Sequence, residues 1–258
     1  YGVLEFSDIA GVHPVDDAVI ARATTWLLAQ RGSDGAWSGR NGLHAWGDDG
    51  ALTNGYIVWC LLESRRVQAD AVAGAIAALR ARTVRANPWL EALAALVAVR
   101  VGDRAEADQT LAGLATVVTG PLEKACRSLT DAHGAAAASE TLALAAQAFH
   151  RRGADGDADR ARVLIERLLA TSTSGYFGSS QATALALRAI DEIGLPTSQA
   201  LAGRHWRITC GDTVLLDRLL GEHPMSKDLQ ALLPWEPAAG RQTLRITLTG
   251  ADGDALPC

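Results

Sequence analysis

The fold of this chain is decided by TWLLAQRGSDGAW (residues 25–37) and, after a loop, ALTNGYIVWCLLE (51–63). The same arrangement returns as IERLLATSTSGYF (165–177) and, after a shorter loop, SSQATALALRAIDE (179–192). Each copy predicts a helix, a turn with glycine and an aromatic residue, and a second helix entered through Thr or Ser. The second helices are dense in alanine, which allows close approach between helices, as in an inner ring. Repeated helix pairs of this length favour an α/α toroid or solenoid.

Helical periodicity continues through most of the chain from residue 16 to residue 194. It predicts helices over 16–30, 52–64, 70–82, 88–101, 104–118, 136–152, 157–170 and 179–193, and residues 1–10 read as the end of an earlier helix. Pro88 suits a first helical turn, and Gly102, Gly153 and Gly194 suit positions just after helix ends. A closed ring of six pairs needs about twelve helices. The expected fold is therefore mainly α, an incomplete α/α toroid of antiparallel helix pairs.

The character of the sequence changes after residue 195, where short β-like segments replace the helical pattern. These segments are 205–210, 214–220 and 241–250, the last with alternating Leu244, Ile246 and Leu248. We expect two domains, a partial toroid over residues 1–200 and a β segment over residues 201–258. So short a β segment is expected to be one part of a β-sandwich.

Composition excludes several classes of function. The 258 residues carry a formal charge of −5 without a basic stripe, so nucleic acid is not an expected partner. Apolar runs are shorter than a membrane span, and no membrane contact is expected. The four cysteines have neither metal-type spacing nor the density of a disulfide framework. Cys60 falls on an apolar helical face and is predicted to be a small core residue.

The loop after residue 37 contains the residues that most resemble a site. His44, Asp48 and Asp49 lie in one loop with no spaced partner, so we predict no metal there. A GxSxG elbow and a phosphate-binding loop are both absent from the sequence, and no cofactor is expected.

Gln30, Gly35 and Trp37 are close to the QW motif of squalene and oxidosqualene cyclases, which caps one helix with glutamine and packs tryptophan on the next. That role is structural, and we assign Gln30, Trp37 and Trp46 to packing. Gln181, near the start of the second helix of the second repeat, is assigned to the same structural motif. Cyclisation would also need an acid cluster that Asp16–Asp17 and Asp48–Asp49 do not form, and an aromatic content of 5% is thin for a cation-lining cavity.

Three segments together resemble a known family. They are EFSDIAGVHPVDDAVIARATTWLLAQRGSDGAW, ALTNGYIVWCLLES and SGYFGSSQATALALRAI. They are similar to the later part of the thioester domain of bacterial alpha-2-macroglobulins, which is related to complement-type domains. The resemblance covers residues 1 to about 195 and implies a toroid of the terpenoid-cyclase type inserted into a CUB β-sandwich, whose returning strands would follow the last helix.

The resemblance also implies a function for the longer protein. Members of the family carry an internal thioester between cysteine and glutamine, and trap proteases by acylation or by enclosure. None of the four cysteines here begins that motif, so the chain is expected to begin inside the domain and to be catalytically inert. In complement-type members a histidine of the equivalent loop attacks the thioester, and His44 is the candidate for this acyl-transfer role. The parent is expected to be extracytoplasmic, with proteases as partners and no small-molecule substrate.

Two alternatives remain open from the residues alone. One is an α/α-toroid enzyme acting on a polysaccharide or a prenyl substrate, for which Asp48, Asp49 and Glu63 are the visible acids. The other is an interaction module that uses the helical surface for docking, which a large exposed apolar patch would support.

Overall fold

The computed structural model describes residues 2–38, 50–82, 87–129, 134–173, 175–194, 205–219 and 243–249. The chain divides into two compact units, Tyr1–Ile193 and Gly194–Cys258. The first unit is helical, and the second contains a small antiparallel sheet.

The described part of the helical unit contains nine α-helices. They are α1 (Gly2–Ile9), α2 (Asp17–Ala29), α3 (Gly50–Glu63), α4 (Ala73–Arg82), α5 (Pro88–Val101), α6 (Arg104–Val117), α7 (Gly134–Arg152), α8 (Asp157–Ala170) and α9 (Ser180–Ile193). A short 3-10 helix, Ala69–Val72, leads directly into α4. The segment predicted as one helix over 70–82 therefore begins with a tighter turn than expected.

Local side chains determine where several helices begin. The carboxylate of Asp16 accepts the Ala18 N–H at 2.9 Å, and the amide oxygen of Asn87 accepts the Trp89 N–H at 3.2 Å. Asp103 accepts the Glu106 N–H in the same way at 3.2 Å. Each bond satisfies a backbone donor that the first helical turn leaves without a partner. Gly102 ends α5 at φ 78°, in the left-handed region that favours glycine.

The helices form two rows. In the inner row α3 packs on α5, α5 on α7 and α7 on α9, and in the outer row α4, α6 and α8 pack on α3, α5 and α7. Every residue from Pro88 to Ala98 and from Ala136 to Phe149 is buried, so α5 and α7 are covered on all sides. Seven of the buried residues of α7 between 136 and 148 are alanines, small enough for neighbouring helices to approach closely.

The second unit contains a three-stranded sheet. Its strands are β1 (His205–Cys210), β2 (Thr213–Leu219) and β3 (Leu244–Thr249), in the order β2-β1-β3 with both pairings antiparallel. Strands β1 and β2 form a hairpin in which Gly211 has φ 54°, and their register shifts between Ile208 and Thr209.

The chain is thus mainly helical with a small antiparallel sheet, which confirms the sequence prediction at this level. None of the helices in the described ranges is both long enough and apolar enough to span a membrane.

Candidate functional site

After α2 the chain turns at residues 32–36, where the Gly35 N–H donates to the Gly32 carbonyl at 2.9 Å and the Gly32 N–H donates to the Ala36 carbonyl at 2.8 Å. Gly35 has φ 77°, a conformation that other residues adopt only at a cost. A Cβ added to Gly35 would lie 3.3 Å from the Cα of Gly74 in α4, so the two backbones are in contact. The carboxylate of Asp34 stabilises the turn by accepting the Ala36 N–H at 3.0 Å. Both the backbone conformation and the close approach of α4 therefore favour glycine at position 35.

Trp37 ties this turn to three helices. Its side chain is buried, and its indole N–H donates to the Leu27 carbonyl near the end of α2 at 2.8 Å. Its backbone N–H donates to the amide oxygen of Asn54 in α3 at 3.1 Å. The amide nitrogen of Asn54 in turn donates to the Ala75 carbonyl of α4 at 2.9 Å. Trp37 is therefore a buried link between α2 and α3, and Asn54 is the partner that sequence analysis missed.

The second repeat builds the same connection with different residues. Gly175 has φ 80°, and Phe177, two residues later, is buried as Trp37 is. The backbone N–H of Phe177 donates to the side-chain oxygen of Thr183 in α9 at 3.2 Å, as that of Trp37 donates to Asn54 in α3. The internal repeat therefore includes the hydrogen bond from the aromatic residue after the turn to the following helix, whereas the indole bond from Trp37 to α2 has no counterpart at Phe177, whose ring has no donor.

The two glutamines of the motif differ in their surroundings. Gln30 is exposed, and its contribution to the end of α2 is its backbone N–H, which donates to the Leu27 carbonyl at 3.0 Å. Gln30 is the C-cap residue of α2 and its side chain is exposed, and no hydrogen bond of that side chain with another described residue is seen. Gln181 is buried at 7% exposure, and its amide faces the carboxyl group of Glu140 in α7.

His44, Trp46, Asp48 and Asp49 lie outside the described residues. The acyl-transfer role of His44 therefore stays a prediction.

Glu140 is the most unusual polar residue of the helical unit. It has no exposed surface. The indole N–H of Trp89 in α5 donates to its Oε2 at 2.9 Å, and the Ser128 hydroxyl donates to its Oε1 at 3.4 Å. The amide nitrogen of Gln181 in α9 lies 3.3 Å from Oε2. The ring of Tyr56 stacks on Trp89 with centroids 6.1 Å apart, which covers the cluster from α3.

Burial raises the pKa of Glu140 to about 7, against hydrogen bonds from Trp89 and Ser128 that act to lower it. Each donor that it meets among the described residues is neutral, and neutral donors stabilise a carboxylate less than a guanidinium does. Such a carboxyl group keeps its proton to a higher pH than an exposed glutamate does. In the sequence, the buried carboxyl group of Glu140 is visible as a single acidic residue within the mostly apolar run AAAASETLALAAQAF (135–149).

Charged residues gather where the inner helices end. The two terminal nitrogens of the Arg151 guanidinium group in α7 donate to Glu63 of α3, at 2.6 and 2.9 Å. Its Nε donates to Glu192 of α9 at 2.6 Å. Arg188 of α9 reaches Glu63 at 2.6 Å and also pairs with Asp8 of α1. Burial acts to raise the pKa of Glu63, but the two arginines outweigh it and hold that pKa below its usual range. This network ties together the ends of α1, α3, α7 and α9.

The two buried cysteines do not resemble nucleophiles. Cys60 and Cys126 are free thiols, and both are buried. Burial raises the pKa of Cys60 to about 12 and that of Cys126 to about 11. A thiol with such a pKa is almost never the thiolate that reacts. The burial of Cys60 confirms its predicted place in the core.

No group of three or more His, Cys, Asp and Glu side chains in the described ranges is arranged to hold a metal ion. The sequence matches no model of a known protein family, and it matches no curated protein.

Proposed function

We propose that this chain is part of the thioester-type helical domain of a bacterial alpha-2-macroglobulin-like protein that traps proteases. The observation that supports this most is the repeated connection at Gly35–Trp37 and Gly175–Phe177, because it lies in two of the segments on which the resemblance depends. The inner and outer rows of helices agree with a toroid, and the three antiparallel strands agree with a returning part of a CUB-like sandwich.

The residues of the chain have mostly structural roles in this proposal. The turn at Trp37 and the network at Glu63 hold the inner helices together, and the two buried cysteines pack in the core. The thioester itself belongs to a cysteine and a glutamine outside this chain, so the chain alone is inert. The parent protein acts in an extracytoplasmic compartment, where it meets proteases.

His44 is the residue that takes part in chemistry under this proposal. A ring nitrogen of its imidazole attacks the thioester carbonyl, the carbon–sulfur bond breaks, and cysteine leaves as a thiolate. A hydroxyl oxygen then attacks the acyl carbon, its proton passes to the thiolate, and the imidazole is released. Histidine suits this step because its ordinary pKa leaves a neutral, nucleophilic form near pH 7.

The proposal is tested on the longer protein by measuring its intact mass before and after incubation with methylamine. We expect a gain of one methylamine, since the amine nitrogen attacks the thioester carbonyl and the sulfur leaves as a thiol. Substituting the thioester cysteine should abolish the gain. A protease added to the untreated protein should become covalently attached. If neither the mass gain nor the attachment occurs, the thioester reading is wrong.

The role of His44 is tested separately by competing glycerol against methylamine for the acyl group. His44→Ala should lower the incorporation of glycerol relative to methylamine. His13→Ala is the matched control, because His13 is an exposed histidine outside the loop. If the ratio of glycerol to methylamine incorporated is the same in His44→Ala and His13→Ala, the acyl-transfer role of His44 is contradicted.

The alternative of an α/α-toroid enzyme has less support. Glu63, the described acid among its three candidates, is engaged by Arg151 and Arg188. A carboxylate held by two guanidinium groups is a poor general acid, because its pKa is lowered.

A further inference from the structure

We propose that Glu140 is a neutral, protonated acid in the folded chain at mildly acidic pH, and that its ionisation towards neutral pH is a switch that weakens the packing of α5 and α9 against α7. This inference does not depend on the proposed function.

The geometry of the cluster around Glu140 favours the protonated acid. Glu140 has no exposed surface, and the groups that bond it come from α5, α9 and the segment before α7. An ionised carboxylate needs strong donors or a cation when it is removed from water. Here it meets an indole, a hydroxyl and an amide, and two of the three contacts are long, at 3.3 and 3.4 Å. A proton compensates the charge without requiring additional space.

The side chain of Gln181 also favours a protonated Glu140. Its Oε1 is buried and has no hydrogen-bond partner. An ionised Glu140 only accepts hydrogen bonds, so it offers nothing to this oxygen. A protonated Glu140 has one O–H donor, and it lies beside the Gln181 amide, whose nitrogen is 3.3 Å from Oε2. Protonation therefore adds a hydrogen-bond donor next to the unpaired oxygen of Gln181.

Charged groups on the neighbouring elements leave this conclusion unchanged. The helix α5 carries the buried Glu91 two residues after Trp89, and residues two apart on a helix lie on different faces, so Glu91 does not share the face of Trp89. On α9 the nearest basic residue in sequence to Gln181 is Arg188, about two helical turns away and paired with Glu63. In α6 the half of the helix from residue 109 to residue 117 contains no charged residue.

Three further ionisable residues belong to the elements that pack near Glu140. Glu123 and Cys126 lie in the segment before α7, and Arg167 lies in the last turn of α8. Cys126 is buried, and its raised pKa of about 11 leaves it neutral. Arg167 donates to the carbonyls of Val118 and Gly120 and is not among the donors that contact Glu140.

The sign of the pH dependence follows from the direction of the shift. Because burial raises the pKa of Glu140 from 4.5 to about 7, the folded chain binds a proton more tightly than the unfolded chain does. The resulting stabilisation is fully present below pH 4.5 and is lost as the pH rises to about 7. Over that interval the unfolding equilibrium constant should increase by about a hundredfold from this group alone.

The test uses the intact chain with glutamate side chains labelled with carbon-13, and follows the carboxyl resonance of Glu140 by NMR. Glu140→Gln identifies that resonance, and Glu166→Gln, a substitution on the exposed side of α8, is the control. We expect a titration midpoint near pH 7. A midpoint near pH 4.5 would overturn the proposal.

The indole N–H of Trp89 provides the second readout, because it bonds directly to the titrating carboxyl group. Its resonance should shift with the same midpoint in the wild-type chain and remain constant in Glu140→Gln. Since glutamine has the shape of the protonated acid, this variant should also lose the fall in stability between pH 4.5 and 7. The wild-type measurements decide the question if the variant does not fold, and an indole resonance that does not titrate near pH 7 would refute the switch.

Discussion

Replacing Asn54 by alanine removes one side chain that serves two backbone groups. Asn54 accepts from the Trp37 N–H and donates to the Ala75 carbonyl, and all three residues are buried. Water cannot take over these bonds without opening the core. Each buried polar group left without a partner costs about 1–3 kcal/mol. We therefore expect Asn54→Ala to lower the free energy of unfolding by about 2–4 kcal/mol.

Urea denaturation followed by circular dichroism measures this difference, provided that the slope with denaturant is unchanged. Ser33→Ala is the control, because Ser33 is exposed in the same stretch of chain, and it should stay within about 0.5 kcal/mol of the wild type. Asn54→Asp keeps the acceptor for Trp37, loses the donor for Ala75 and adds a buried charge. It should be no more stable than Asn54→Ala at pH 7. If Asn54→Ala costs less than about 0.5 kcal/mol, the two bonds do not hold the turn.

Three further predictions test other parts of the helical unit. In urea denaturation, Gly35→Ala should lower the free energy of unfolding more than Gly102→Ala does. Both glycines have positive φ, but of the two only Gly35 is crowded by another backbone. Equal losses of stability would refute the contact between Gly35 and Gly74. Burial acts to raise the pKa of Asp157, but hydrogen bonds from arginine side chains outweigh burial and lower that pKa. The free energy of unfolding of Asp157→Asn should therefore be about 3 kcal/mol lower than that of the wild type at pH 7. The difference between Asp157→Asn and the wild type should shrink as the pH falls below 3.8, and a constant difference would argue against the charge. Cys60 and Cys126 should resist a thiol reagent at pH 8 until urea unfolds the chain, and mass mapping that finds either one labelled in the folded chain would contradict their burial.

Local chemistry explains why many element bounds could be predicted. The predicted bounds of α5, α8 and β1 agree with the structure. In α5 the start is set by Asn87 and Pro88 and the end by Gly102, each acting on its own or neighbouring backbone. Such signals need no distant partner, so they can be read from a few consecutive residues.

The partners of the turn could not be predicted in the same way. The sequence pointed to Gly35 and Trp37, because glycine before an aromatic residue is a recognisable pattern. It did not point to Asn54, which is 17 residues from Trp37 along the chain. Nor did it reveal that Gly35 touches Gly74, since that contact depends on how α4 packs against the turn.

Taken alone, the sequence determined the helical periodicity, most of the helix ends, the change to strands near residue 205 and the existence of a repeat. These properties depend on interactions among residues close together along the chain. Only the tertiary structure decided that the described residues bonding Glu140 are the neutral donors Trp89, Ser128 and Gln181, while Glu63 lies between two arginines. The two glutamates are the same residue type in similar helices, and their pKa values move in opposite directions. The cause is the set of distant side chains that folding brings to each carboxyl group, and no local pattern encodes it.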